Sequence, residues 1–173
     1  MTLCNPKAWI DQAQRDGCAV AAFNANTAEQ IQAVVLAAEA EAAPAIIQVS
    51  HNAALYFGSG NATLGLRYFA ALGTIAAQSV SVPIALHLDH ATETEVMQAI
   101  ALGFTSVMFD GDGYALEDNI AAAGLELKVN RQFSKLTPVE ASKTVAGGQG
   151  QVVEQRIEQF AHPLHRITPL AHV

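Results

Sequence analysis

Pro83-Ile84-Ala85-Leu86-His87-Leu88-Asp89-His90 is an apolar run that turns polar over its last four residues. Its first half, Pro83–Leu86, has the length and apolar continuity of a strand buried on both faces, and the polar half falls where that strand ends. Alternation along an extended chain puts His87 and Asp89 on one face and aims His90 at the mouth of the following loop. Thr92 and Glu95 then form a capping-box pattern that starts a helix running to Leu102. Phe104–Phe109 reads as another strand, closed by Asp110-Gly111-Asp112-Gly113, and Leu116–Ala123 begins a further helix.

The same strand–helix unit recurs upstream. Asn5 ahead of Pro6 is an N-cap with proline at the first helical position, and Trp9, Ile10 and Ala13 give the segment Pro6–Gly17 a helical spacing. Cys18–Phe23 is a short apolar run that ends at Asn24 and predicts a strand, after which Thr27 and Gln30 suggest a capped helix to about Ala42. Pro44 restarts the chain, and Ala45–Val49 predicts a strand that stops at Ser50-His51-Asn52. A connection holding Gly58-Ser59-Gly60-Asn61 leads into an apolar helix over Ala62–Gln78. Four strands, each followed by a helix, predict an α/β fold with a parallel sheet built from right-handed crossovers. A half-wound open sheet and a barrel both satisfy the pattern. In either, ligands bind beyond the carboxyl ends of the strands, where Asn24, Ser50, Asp89, His90 and Asp110 fall.

A chain of 173 residues with 51% apolar residues is expected to form one globular domain. The net charge of −7 and nine scattered Lys and Arg argue against a nucleic-acid partner, which would need a clustered basic face. Cys4 and Cys18 have neither CxxC nor framework spacing, so a reduced compartment is expected. No charged segment followed by an apolar run opens the sequence, and no uninterrupted apolar run of membrane-spanning length occurs. The expectation is a cytoplasmic protein with small-molecule ligands and no membrane contact.

The His87-Leu88-Asp89-His90 cluster is the sharpest candidate for chemistry. Imidazole suits Zn²⁺ and a neighbouring carboxylate can move a proton or orient a ligand, yet one short motif supplies fewer than the three or four ligands a zinc site needs. Solvated loop polars with one hydrogen-bonded core histidine would satisfy the same spacing. Asp110 is either an acidic site residue or an ordinary turn former. Asn24, Gln48 and Ser50 offer hydrogen-bonding groups at strand ends, as caps and loop satisfiers also do. Gly147-Gly148-Gln149-Gly150 lacks the Lys and Ser/Thr of a P-loop.

Taken in order, Ala22-Phe23-Asn24, Pro44 to Ser50, Pro83 to His90, and Gly103 to Asp110 with Asn119-Ile120 resemble the first four strand units of class II, zinc-dependent aldolases. That family includes the fructose-1,6-bisphosphate and tagatose-1,6-bisphosphate enzymes. The resemblance covers about the first 123 residues and implies a (β/α)₈ TIM-barrel type of fold, incomplete at about four to five β/α units. It implies a Zn²⁺ cofactor and a phosphorylated sugar substrate, with reversible aldol cleavage of a ketose 1,6-bisphosphate to dihydroxyacetone phosphate and glyceraldehyde 3-phosphate. By the same resemblance Asp89 matches the catalytic acid/base, and His90 matches a zinc ligand. Asn24, Gln48 and Ser50 match residues lining the substrate pocket, and Asp110 matches an acidic residue near the metal site, with His87 a further candidate for supporting that site from behind.

Residues 124–173 form a divergent segment. Val139-Glu140-Ala141 resembles a fifth strand, but Ser142 stands where the family places a metal-associated Glu, and His162, His165 and His172 lie in no matching motif. The expectation is a truncated aldolase whose exposed strand edges favour a homo-oligomer. The alternative is a non-catalytic fragment that keeps a phosphosugar-binding surface. A metal hydrolase built on the HxDH cluster is a third reading.

Overall fold

Two prolines, Pro44 and Pro83, each stand directly before a strand, where no ladder needs the missing N–H. They mark the two central strands of the four-stranded sheet that a computed structural model shows among the described residues, 3–121. The elements run α1 (Lys7–Asp16), β1 (Ala22–Asn24), α2 (Ala28–Ala40), β2 (Ala45–Ser50), α3 (His51–Phe57), α4 (Ala62–Gln78), β3 (Ile84–Ala91), α5 (Glu93–Leu102) and β4 (Ser106–Phe109). A helical turn follows over 116–121. The sheet order is β1-β2-β3-β4 and every pairing is parallel, as the alternating strand–helix pattern requires. The expected fifth strand around Val139, Ser142, the glycine cluster, the helix over Gln151–Ala161 and the three C-terminal histidines all lie outside the described residues.

Several boundaries differ from the sequence reading, each for a local reason. β1 begins at Ala22 rather than Cys18, because the chain first has to turn out of α1: Gly17 sits at φ 67, and Cys18 N–H bonds back to Ala13 O at 3.0 Å. Asn5 does cap α1, accepting Lys7 N–H at 2.8 Å, although Pro6 is already helical. Thr27 accepts Gln30 N–H at 3.5 Å, but Gln30 Oε1 accepts from Asn26 N–H at 2.6 Å, so the reciprocal half of that box is displaced by one residue. Thr92 and Glu95 complete theirs. The helix α3 was not expected; Ser50 caps it by accepting Ala53 N–H at 3.1 Å. β3 runs five residues past Leu86 and takes the whole polar cluster into the strand.

The two faces of the sheet are chemically distinct. Ala45, Ile47, Val49, Ile84, Leu86, Leu88, Val107 and Phe109 face the helices and join Ile31 and Val35 of α2, Leu66 and Phe69 of α4, and Val96 and Ile100 of α5 in one core. Each such large side chain contributes roughly 1.5–3 kcal/mol by leaving water. The alternate residues, Ala22 and Asn24, Ile46 and Gln48, Ala85 and His87, and Ser106 and Met108, occupy the other face. Among the described residues no helix is long and apolar enough to cross a membrane.

Candidate active site

The second face changes character along the strands. Its lower row, Ala22, Ile46 and Ala85, is apolar. The next row is polar across all four strands, because Asn24 pairs in register with Gln48, Gln48 with His87, and His87 with Ser106. Above it Ser50 pairs with Asp89, the last pair of the β2–β3 ladder. Parallel strands in register therefore gather these residues at one end, the carboxyl end, of the sheet.

A β-bulge then breaks the pattern. β3 and β4 pair at Leu88–Val107 and again at Ala91–Phe109, so Asp89 and His90 together oppose the single residue Met108. His90 adopts φ 49, a left-handed conformation that costs a residue with a Cβ on the order of 1 kcal/mol. Strict alternation would send His90 to the helix side, as it sends Leu88. The bulge absorbs one position: Ala91 joins the helix-facing core, and His90 is turned out to the mouth, where its side chain is 41% exposed.

The polar contacts follow from that turn. Gln48 Nε2 donates to Asp89 Oδ2 at 2.9 Å. His90 Nδ1 lies 3.2 Å from Asp110 Oδ2, and its Nε2 lies 3.9 Å from Asp89 Oδ1. Asp110 Oδ1 accepts Asp112 N–H at 3.0 Å in the turn while Oδ2 lies 3.2 Å from His90 Nδ1. Asn119 Nδ2 donates to Gly111 O at 3.2 Å and pins the loop that carries Asp110. Gly111 is needed here, since a Cβ at that position would run into the Asn119 side chain.

His87 lies 2% exposed in the polar row, with Nδ1 at 2.8 Å from Ser106 Oγ and, among the described residues, no partner for Nε2. Burial first and the nearby His90 second push its pKa down to about 4, so the ring is neutral at pH 7. It is a core histidine beneath the site. Asn24 is exposed at the end of β1, and Ser50 uses its oxygen as the α3 cap, leaving its O–H to donate outward. Gln48 orients Asp89. The structure thus brings Gln48, Asp89, His90 and Asp110 together, with Ser50 beside Asp89 and Asn24 two strands away.

One pair was not among the expected site residues. His51 Nδ1 lies 2.6 Å from Glu95 Oε1. Burial raises the Glu95 pKa, but hydrogen bonds from Thr92 and His51 outweigh it and the net shift is downward, so the carboxylate is ionised and His51 must be the donor. The Thr92–Glu95 cap was visible in the sequence; a partner 44 residues away was not.

Metal ligation can be tested on the donor set. Among the described residues no group of three or more His, Cys, Asp or Glu could hold a metal ion. His90 offers one imidazole, and carboxylates face both of its nitrogens. The described residues fit one ligand of a zinc site and not the complete set.

A parallel α/β sheet that gathers its polar residues at the carboxyl ends of the strands is the arrangement found in (β/α)₈ barrels. Residues 4–164 match the family model for fructose-bisphosphate aldolase class-II, and the chain belongs to that family. It is 34% identical over 149 residues to a fructose-bisphosphate aldolase of Streptococcus pyogenes serotype M1, covering 86% of this chain and 49% of the relative. It is 35% identical over 150 residues to the one from Geobacillus stearothermophilus, covering 86% and 50%. The YdjI aldolase from Escherichia coli K12 superposes with a TM-score of 0.68 at 27% identity, over 80% of this chain and 51% of that one. A Campylobacter jejuni fructose-bisphosphate aldolase shares the fold at a TM-score of 0.71 and 22% identity, over 92% and 55%. The chain spans about half the length of the curated relatives it matches.

Proposed function

We propose that the chain serves the reversible aldol cleavage of a ketose 1,6-bisphosphate to dihydroxyacetone phosphate and glyceraldehyde 3-phosphate, with residues 1–123 as the N-terminal part of the barrel. The observation that carries this reading is the Asp89 carboxylate, held by Gln48 at the carboxyl end of β3 beside His90 in a chain of the class II aldolase family. In the cleavage direction Asp89 takes the proton of the C4 hydroxyl as the C3–C4 bond breaks, and the electron pair of that bond moves toward the C2 ketone. In the reverse direction it returns the proton.

Gln48 fixes one carboxylate oxygen and the other lies 3.9 Å from His90 Nε2, so the acid/base group and the imidazole are held side by side. Ser50 and Asn24 supply hydrogen-bonding groups at the rim for the sugar phosphate. His90 would be one zinc ligand, with Asp110 holding its other ring nitrogen and His87 lying beneath; a bound zinc supplies a Lewis acid at the ketone. A phosphosugar substrate goes with a cytoplasmic location, and neither nucleic acid nor membrane enters the reading. Self-association through the sheet edges would complete the picture.

The test is release of dihydroxyacetone phosphate from fructose 1,6-bisphosphate and from tagatose 1,6-bisphosphate by the full chain, with and without added zinc and with and without chelator. Cleavage that falls at least about a hundredfold in Asp89→Asn and is chelator-sensitive is the expected result. Equal rates in Asp89→Asn, or no cleavage of either sugar with zinc present, would sink the reading. Binding of the bisphosphate without cleavage would leave a phosphosugar-binding protein.

A further inference from the structure

Glu95 is a carboxylate only 6% exposed, and its two oxygens serve different parts of the chain. Oε2 accepts from Thr92 N–H at 3.0 Å, which is what a capping box requires, and from the Thr92 hydroxyl at 2.8 Å as well. Oε1 accepts from His51 at 2.6 Å, which a capping box does not require. His51 directly follows Ser50, the last residue of β2, and Thr92 directly follows Ala91, the last residue of β3. One buried carboxylate therefore joins the exits of the two strands that carry Gln48 and Asp89.

Those exits are the part of the sheet that the ladder supports least. The β2–β3 pairing stops at Ser50–Asp89, and the β3–β4 register shifts at the same place. His90 at φ 49 persists only if its surroundings over-determine it. On the β4 side the bulge is held by Asp110 N–H donating to Ala91 O at 2.9 Å. On the β2 side the His51–Glu95–Thr92 chain of contacts continues the connection where the ladder ends.

We infer that His51 is a positioning residue for Asp89: by holding Glu95, and through it Thr92, it fixes the bulge and keeps the Asp89 carboxylate in reach of Gln48. Its catalytic consequence rests on the aldolase reading above; its structural content does not. A simple staple between α3 and α5 would stabilise the chain and leave the Gln48–Asp89 bond unchanged. The two roles separate experimentally, because the Gln48 side-chain amide reports directly on that bond.

The experiment compares His51→Leu, which removes the donor, with His51→Asn, which keeps an N–H near the Nδ1 position, in the full isotope-labelled chain. In wild type and His51→Asn the Gln48 side-chain amide protons should be shifted by the carboxylate and exchange slowly; in His51→Leu both signatures should be lost. Cleavage of the bisphosphate should fall about tenfold in kcat with KM within about twofold in His51→Leu, and His51→Asn should recover most of it. If His51→Leu does not fold, His51→Ser, which lets water reach Glu95, makes the same comparison. An unchanged Gln48 amide in the donor-free variant, whatever happens to Tm, overturns the inference. If the wild-type chain cleaves neither sugar, the aldolase reading fails by itself and the amide comparison alone decides the role of His51.

Discussion

Gln48 Nε2 donates to Asp89 Oδ2 at 2.9 Å, although the strand register sets Gln48 beside His87 and Asp89 beside Ser50. The bond is a diagonal one, reaching two residues toward the carboxyl end of the neighbouring strand, and only a long side chain spans it. Below that diagonal lies the buried, neutral His87; above it the bulge turns His90 out. Orientation of the carboxylate is therefore supplied from β2, while its neighbour's exposure is supplied by a register slip in β3.

Replacing Gln48 with Met keeps the length of the side chain and removes the donor. Asp89 then loses a contact that restrains its rotamer, so kcat for bisphosphate cleavage should fall roughly 10- to 100-fold while KM changes much less. Gln48→Glu should be worse, because a second carboxylate would face Asp89. Steady-state kinetics of the three proteins check the order wild type, Met, Glu.

The bulge makes a stability prediction that does not depend on activity. His90→Gly and His90→Val both delete the imidazole and its contacts, so those losses cancel between them. Glycine adopts φ 49 without a Cβ penalty, whereas valine is among the residues least suited to it. Urea unfolding should show His90→Val less stable than His90→Gly by about 1–2 kcal/mol. Equal midpoints would mean that the left-handed conformation is not held in solution.

Much of this was legible in the sequence, and the gaps have physical causes. Pro44, Pro83, the apolar runs after them and the Thr92–Glu95 cap are local signals, so the central strands and α5 were placed from them. The bulge leaves no local mark, because it is a mismatch between β3 and β4 and exists only once both are paired. The extra length of β3 escaped for the same reason: His87, Asp89 and His90 look like loop polars until Ser106, Gln48 and Asp110 are seen to meet them. The short helix α3 hid behind Ser50-His51-Asn52, which reads as a strand stop and is also an N-cap.

The close approach of α3 and α4 rests on Gly65. A Cβ built there lands on the Ala54 carbonyl oxygen, which is backbone and cannot swing aside. Gly65→Ala should therefore destabilise the chain by about 3 kcal/mol, even though alanine is the better helix former by roughly 1 kcal/mol. Thermal or urea unfolding checks it. A stabilised variant would show that the two helices are further apart in solution.

His87 makes the last prediction, in pH. Its pKa is pushed from 6.5 to about 4 by burial first and by His90 second. In the unfolded chain it takes up a proton near pH 6.5, which the folded chain refuses until about pH 4. Between these values the unfolded state binds more protons, so stability is fully present above pH 6.5 and is lost as pH falls toward 4. The loss reaches on the order of 3 kcal/mol at about 1.4 kcal/mol per pH unit for one proton. His87→Gln, which has no titrating ring, should flatten the unfolding free energy against pH by up to that slope in the same window. The difference between the two proteins isolates His87 together with its coupling to His90. Parallel curves for wild type and His87→Gln would mean that His87 is solvated and titrates normally in the folded chain, contrary to its place beneath Gln48 and Asp89.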